Sequence, residues 1–218
     1  MKNRAVIWDM DGVLVDTTEA HFRTWVTSLA EWEIPLDRDQ FSGLFGMNNR
    51  DTLTALLGRP PEPEELATIA GRKEYLFRLD ADRLVHPMPG AFGLLRALEA
   101  AGWSQALASS APQANIDLLI DKFGIRDRFR AVLSGAELPA GKPDPALFIS
   151  AAQALGLPPE ACVVVEDAPA GVEAARRAGM HCIAVATTHR RQALTGADLI
   201  LDGLTQITPG TFSEIFDE

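Results

Sequence analysis

Cysteine is scarce: Cys162 and Cys182 are the only two in 218 residues. Both sit in apolar runs, and neither a CxxC pair nor a disulfide framework is present. That excludes a cross-linked secreted scaffold and leads us to expect a reducing, cytoplasmic setting. Positive charge is short as well. Lys and Arg number 20 against 30 Asp and Glu, for a formal net charge of −10. Nucleic acid and anionic membrane surfaces require clustered basic residues, so neither is an expected partner. An acidic chain can still hold a small anion if it focuses positive charge locally, often with a metal. Long apolar runs are missing too. No stretch approaches the ~18 apolar residues of a membrane span, and the four-residue run before Asp9 is too short for a signal peptide. Internal repeats and low-complexity segments are also lacking.

The apolar content, 47% of the chain, is enough for a sizeable core, and overall disorder is not expected. Residues 5–8 form a continuous apolar run closed by Asp and Gly, the pattern of a buried strand. Similar segments occur at 104–110, 129–135, 162–167 and 181–187, with a weaker one at 197–203. Helical spacing lies between them at 90–102, 112–124, 144–156 and 168–179. Strand–helix alternation with short connections predicts an α/β fold with a doubly wound parallel sheet. Residues 17–86 break this rhythm. They read as helical at 19–32, 38–46, 50–58 and 63–80, with prolines at 60, 61 and 63. We therefore expect an α/β core built from 1–16 and 87–218, with 17–86 as an inserted helical cap. Ligands of open α/β sheets bind beyond the carboxyl ends of the strands, so an insert leaving strand one would cover the site.

Polar residues stand at those strand ends. Strand one delivers Asp9 and Asp11, the second Ser109 and Ser110, and the fourth Glu166 and Asp167; "GKPDP" with Lys142 follows the third. Four carboxylates packed together repel one another, and a hard divalent ion relieves this. All-oxygen ligands suit Mg2+, with phosphate supplying a further oxygen. The metal and Lys142 would offset a phosphate dianion, and Ser109 would donate to a phosphoryl oxygen. Asp9 and Asp11 suggest divided labour between a nucleophile and a proton donor. A calcium loop counted from Asp9 would need Gly at position 6 and Glu at position 12; Leu14 and Ala20 stand there. A plain Asp11–Gly12 turn, a surface Lys142 and a Glu166–Asp167 helix cap are the bland alternatives. Asp16 reads as a turn carboxylate where the insert departs. Trp8, Trp25, Trp32 and Trp103 read as packing residues, and His189, Arg190 and Arg191 as a solvated loop.

In order and spacing, "DMDGVLVDT", "LASS", "GKPDP" and "VVVEDAPAG" resemble the four motifs of the haloacid dehalogenase superfamily. The insert segments "EAHFRTW" and "GRKEY" are similar to cap segments of its β-phosphoglucomutase-like branch. The resemblance implies Asp9 as the nucleophile forming an aspartyl-phosphate and Asp11 as general acid, then base. It implies magnesium on Asp9, Asp11 (through its backbone carbonyl) and Asp167, with Glu166 touching the metal or supporting it. Ser109 and Lys142 would hold the phosphoryl group. Ser110, His21, Asn49, Arg50 and Lys73 are the expected substrate-binding residues, His21 and Lys73 matching cap positions of that branch. β-Phosphoglucomutases continue their second motif with a serine–lysine–asparagine run that grips a distal phosphate. Here the matching residues are Ala111, Pro112 and Gln113, and Asn49 stands where their cap presents an arginine. The expected activity is therefore a magnesium-dependent phosphatase acting on a small phosphorylated metabolite, with a sugar phosphate as the expected class. A phosphomutase and a non-catalytic metabolite sensor are the alternatives, and a monomer is the expected state.

Overall fold

The first strand, β1 (Ala5–Trp8), is fully buried and sits at the centre of the sheet. This is why it reads as unbroken hydrophobicity instead of alternation: a central parallel strand has two dry faces. The computed structural model describes residues 4–216, so residues 1–3 and 217–218 of the expected core lie outside the described residues.

After β1 come a two-residue strand, β2 (Val15–Asp16), and four helices: α1 (Thr18–Ala30), α2 (Arg38–Leu44), α3 (Asn49–Leu57) and α4 (Pro63–Leu84). A second short strand, β3 (His86–Pro87), pairs antiparallel with β2, Val15 opposite Pro87 and Asp16 opposite His86. The chain thus leaves and re-enters the α/β region at one hydrogen-bonded ribbon. Asp16 there is exposed and accepts from the Thr18 N–H at 3.1 Å.

The remainder alternates. It runs α5 (Ala91–Ala100), β4 (Ser104–Ser109), α6 (Gln113–Lys122), β5 (Ala131–Ser134), α7 (Ala146–Leu155), β6 (Cys162–Glu166), α8 (Pro169–Arg177), β7 (His181–Val185), β8 (Leu199–Leu201) and α9 (Pro209–Glu214). The strands form a six-stranded parallel sheet in the order β5-β4-β1-β6-β7-β8. The α/β doubly wound architecture expected above is the one observed.

Side chains alternate across a strand, and the core divides accordingly. Val6 and Trp8 pack with Leu95, Ile116, Ile120 and Phe212 on one face. Ala5 and Ile7 pack with Phe148, Ala151 and Val172 on the other. The buried Trp8 indole donates to Gln105 at 3.1 Å, and the Gln105 amide donates to the Leu95 carbonyl at 3.0 Å. The inserted helices build an apolar cluster of their own around Trp25, Leu29, Phe41, Leu53 and Ile69, with α1 lying against α4. Trp32 departs from the packing role expected of it. It sits in the turn after α1 and is 41% exposed.

Candidate active site

Strand β1 ends in a tight turn. Asp9 holds the strand direction through its N–H to the Val165 carbonyl at 3.0 Å, and Gly12 turns the chain with a φ of 80°. A Cβ on Gly12 would overlap the Asp167 carboxylate and the Thr188 methyl. Only glycine satisfies both the left-handed backbone and that close approach.

Asp9, Glu166 and Asp167 meet at the carboxyl edge of β1 and β6. They are all buried, and one carboxylate oxygen from each lies within 4.8 Å of the others. Lys142 reaches this group from the loop after β5, its Nζ 2.6 Å from Asp9 Oδ1 and 2.5 Å from Glu166 Oε1. Glu166 Oε2 accepts from the backbone N–H groups of Asp167 and Ala168, at 2.8 and 2.9 Å. Both Glu166 oxygens are therefore committed to protein donors. Gly171 makes room for it, since a Cβ there would overlap the Glu166 carboxylate. Neither acid caps α8 as the bland reading had it: the residue before the helix is Ala168, and no side chain caps it. Thr188 donates to Asp167 Oδ2.

The electrostatics follow from this crowding. Burial, then the neighbouring Glu166 and Asp11, push the Asp9 carboxyl up to about 8 against the pull of Lys142. Burial with Glu166 and Asp9 raises the Asp167 carboxyl well above the usual carboxylate range. Lys142 goes the other way. Burial alone would lower it, but Asp9 and Glu166 outweigh burial and raise it, so it stays charged. One ammonium thus faces three carboxylates, and the set is short of positive charge. An all-oxygen donor group of this kind fits a hard divalent cation.

Asp11 is held apart from that group. Its Oδ1 accepts from Thr17 at 2.7 Å and lies 3.3 Å from His21 Nε2, while Ser109 Oγ is 3.4 Å from its Oδ2. Burial would raise its carboxyl, but His21 and Thr17 outweigh burial and lower it. Ser109 Oγ also accepts from the Ala111 N–H at 3.1 Å, which fixes the hydroxyl at the end of β4.

Asp9, Asp11, His21, Asn49, Lys73 and Ser110 line one cavity between the sheet edge and the inserted helices. Its free volume is about 40 Å³, room for a few waters. Lys142, Ser109, Glu166 and Asp167 adjoin Asp9 and Asp11 without lining the cavity themselves. Arg50, next to Asn49, is exposed and faces a separate outer groove beside Leu66 and Glu137. Lys73 is buried although it is a helix lysine. It is 3% exposed, 2.7 Å from Glu74 Oε1, and its Nζ lies 5.3 Å from the Trp25 ring centroid. His21 stacks on Phe77 at 4.4 Å. Among the participants that sequence reasoning missed are Thr188 and Glu74. Thr188 could have been found, because it lies three residues beyond the end of β7 at the same carboxyl edge. Glu74 could not: Lys73 and Glu74 are consecutive, and adjacent helical residues seldom both face inward.

Among the described residues no helix is long and apolar enough to cross a membrane. The model of the haloacid dehalogenase-like hydrolase family matches residues 3–179. The chain is 33% identical over 213 residues to β-phosphoglucomutase of Bacillus subtilis, covering 94% of this chain and 92% of that one. It is 31% identical over 220 residues to hexitol phosphatase A of Escherichia coli, covering 95% and 94%. A crystal structure of β-phosphoglucomutase from Clostridium difficile superimposes with a TM-score of 0.88 at 26% identity, covering 98% of this chain and 97% of that one. Motifs, fold and relatives agree: the chain belongs to the haloacid dehalogenase-like hydrolase family.

Proposed function

We propose that this protein is a magnesium-dependent phosphatase that hydrolyses a small phosphorylated metabolite, with a sugar phosphate as the expected class. The observation that carries this reading is the separation of the two aspartates that leave β1. Asp9 joins the Lys142–Glu166–Asp167 group, whereas Asp11 faces Thr17, His21 and Ser109. Two carboxylates in different environments can divide nucleophile and proton-transfer roles.

Asp9 and Asp167 would hold Mg2+, because Glu166 has both oxygens bound and supports Lys142 from behind. When bound, the metal would supply the positive charge the carboxylate group lacks and help to neutralise the phosphoryl oxygens. Asp9 attacks phosphorus as the P–O bond to the leaving group breaks, giving an aspartyl-phosphate on Asp9. Lys142 and the Ser109 hydroxyl hold the transferring group. Phosphate monoesters carry a second proton with a pKa of about 6, so substrate can deliver the proton that Asp11 passes to the leaving oxygen. Asp11, deprotonated again, then takes a proton from the water that attacks the phosphoryl group, which frees Asp9 and inorganic phosphate. Residues 17–86 act as a cap. The cap would open for substrate entry and close to exclude bulk water.

A phosphomutase is the second reading, favoured by the likeness to β-phosphoglucomutases. The run Ala111, Pro112 and Gln113 offers no cation for a second phosphate, which favours the hydrolase. A phosphate-ester panel with magnesium decides between them. We expect free phosphate as the product and no turnover by Asp9→Asn. Isomerised ester without free phosphate, or full activity in Asp9→Asn, would reject the proposal.

A further inference from the structure

Lys73 and His21 are the basic residues that line the cavity. His21 is engaged with Asp11. Lys73 is matched by Glu74, which lines the same cavity, and the pair is almost fully buried, with side chains 3% and 7% exposed. Glu74 is fixed on every side. Its Oε1 accepts from Lys73 and from the Asn49 amide at 2.9 Å, and its Oε2 accepts from the Asn115 amide at 2.5 Å. Asn115 belongs to α6, across the boundary between insert and sheet domain, and its Oδ1 accepts from Arg78 at 3.0 Å. Lys73, His21 and these hydrogen bonds outweigh burial and keep the Glu74 carboxyl below the usual range, so it is ionised at neutral pH.

The wall of the cavity formed by the insert sets amides, one ammonium and one carboxylate among apolar side chains such as Phe41, Leu44 and Met47, and the ammonium is already matched by Glu74. A neutral hydroxylated group meets the amides and the carboxylate at little cost. A second phosphate there would bring a dianion beside a fixed carboxylate, with the one nearby ammonium already neutralised. We infer that Glu74 is a specificity-determining residue: by neutralising Lys73 it restricts the enzyme to monophosphates whose leaving group is an uncharged polyol or sugar, and it turns bisphosphates away. This rests on the phosphatase reading and deepens it.

Charge logic gives the test. Glu74→Gln keeps the shape and most hydrogen bonds but releases the Lys73 charge. The double variant Lys73→Met with Glu74→Gln removes both charges and leaves the wall neutral again. kcat/KM is measured with magnesium for fructose 6-phosphate and fructose 1,6-bisphosphate, alongside p-nitrophenyl phosphate. Wild type should favour the monophosphate. Glu74→Gln should shift the ratio toward the bisphosphate by roughly tenfold or more, mainly through KM, the scale of one unscreened charge beside a dianion. The double variant should return to the wild-type preference. A purely structural role for Glu74 predicts equal damage to both esters in both variants, and that result would overturn the inference, as would a wild-type preference for the bisphosphate. Failure of the phosphatase reading looks different: no turnover of p-nitrophenyl phosphate or either sugar ester. In that case binding of the two sugar esters to the magnesium-loaded protein, read by calorimetry, carries the same comparison. Should Glu74→Gln not fold, Lys73→Gln, which leaves the Glu74 carboxylate without its ammonium, should deepen the preference for monophosphate; an unchanged ratio there overturns the inference.

Discussion

Replacing Lys142 by Met removes one charge and keeps most of the side-chain volume. Lys142 is buried between Asp9 and Glu166, at 2.6 and 2.5 Å, and both partners are buried themselves. Breaking a buried ion pair by deleting one partner leaves an uncompensated charge and costs about 3–5 kcal/mol. For a chain of this size that corresponds to a fall in Tm of about 6–20 °C. The loss should depend on pH, with a sign set by Asp9. Its folded carboxyl sits at about 8, above the ordinary value of 3.8. Ionising it within the fold is therefore unfavourable, and that cost grows as pH rises through this window. At low pH Asp9 binds a proton and the variant forfeits mainly the contact with Glu166. At high pH it must also bear an unpaired Asp9 carboxylate. Thermal unfolding by circular dichroism, in chelator at about pH 6 and about pH 9, should show the larger deficit at the higher pH. A deficit below about 1 kcal/mol, the scale of an exposed pair, or one equal at both pH values, would refute this account of the charge group.

Three further outcomes follow from the same geometry. Gly171→Ala places a methyl where the Glu166 carboxylate lies, so it should cost about 1–3 kcal/mol and sharply reduce turnover; unchanged kinetics would mean that Glu166 does not need its present position. Magnesium should raise Tm more at about pH 8.5 than at about pH 6, because protons and metal compete for Asp9 and Asp167; a pH-independent shift measured by scanning fluorimetry would place the metal elsewhere. Asn115→Ala removes the acceptor of Arg78 and a donor to Glu74, a loss of about 1.5–3 kcal/mol for hydrogen bonds to charged groups. Amide exchange along 63–84 should accelerate in this variant, and unaltered protection would show that Asn115 does not tie the insert to the sheet domain.

Much of the fold was legible because central parallel strands must be apolar on both faces. Residues 5–8 and 162–166 are buried throughout, and their sequences show it. The acids that follow them stood out because a sharp change from apolar to charged marks a strand end. Edges were harder. The expected strand at 129–135 is observed only at Ala131–Ser134, an edge strand whose half-buried residues give a weaker pattern. The β2–β3 ribbon has two residues per strand, too few for any periodicity. The insert side of the site was least legible. Lys73 and Glu74 are buried because each neutralises the other inside an aromatic and amide shell drawn from four helices, α1, α3, α4 and α6. Nothing local in "GRKEY" distinguishes that from a solvated turn of helix.

The central claim is that Asp9 carries the phosphoryl group between substrate and water. Rapid acid quench during turnover, followed by intact-mass measurement and peptide mapping, tests it directly. The account predicts a fraction of the enzyme heavier by one phosphoryl group, carried on the peptide containing Asp9 and absent from Asp9→Asn. Sustained hydrolysis by wild type with no phosphorylated enzyme at any quench time, or label on a peptide lacking Asp9, would contradict it.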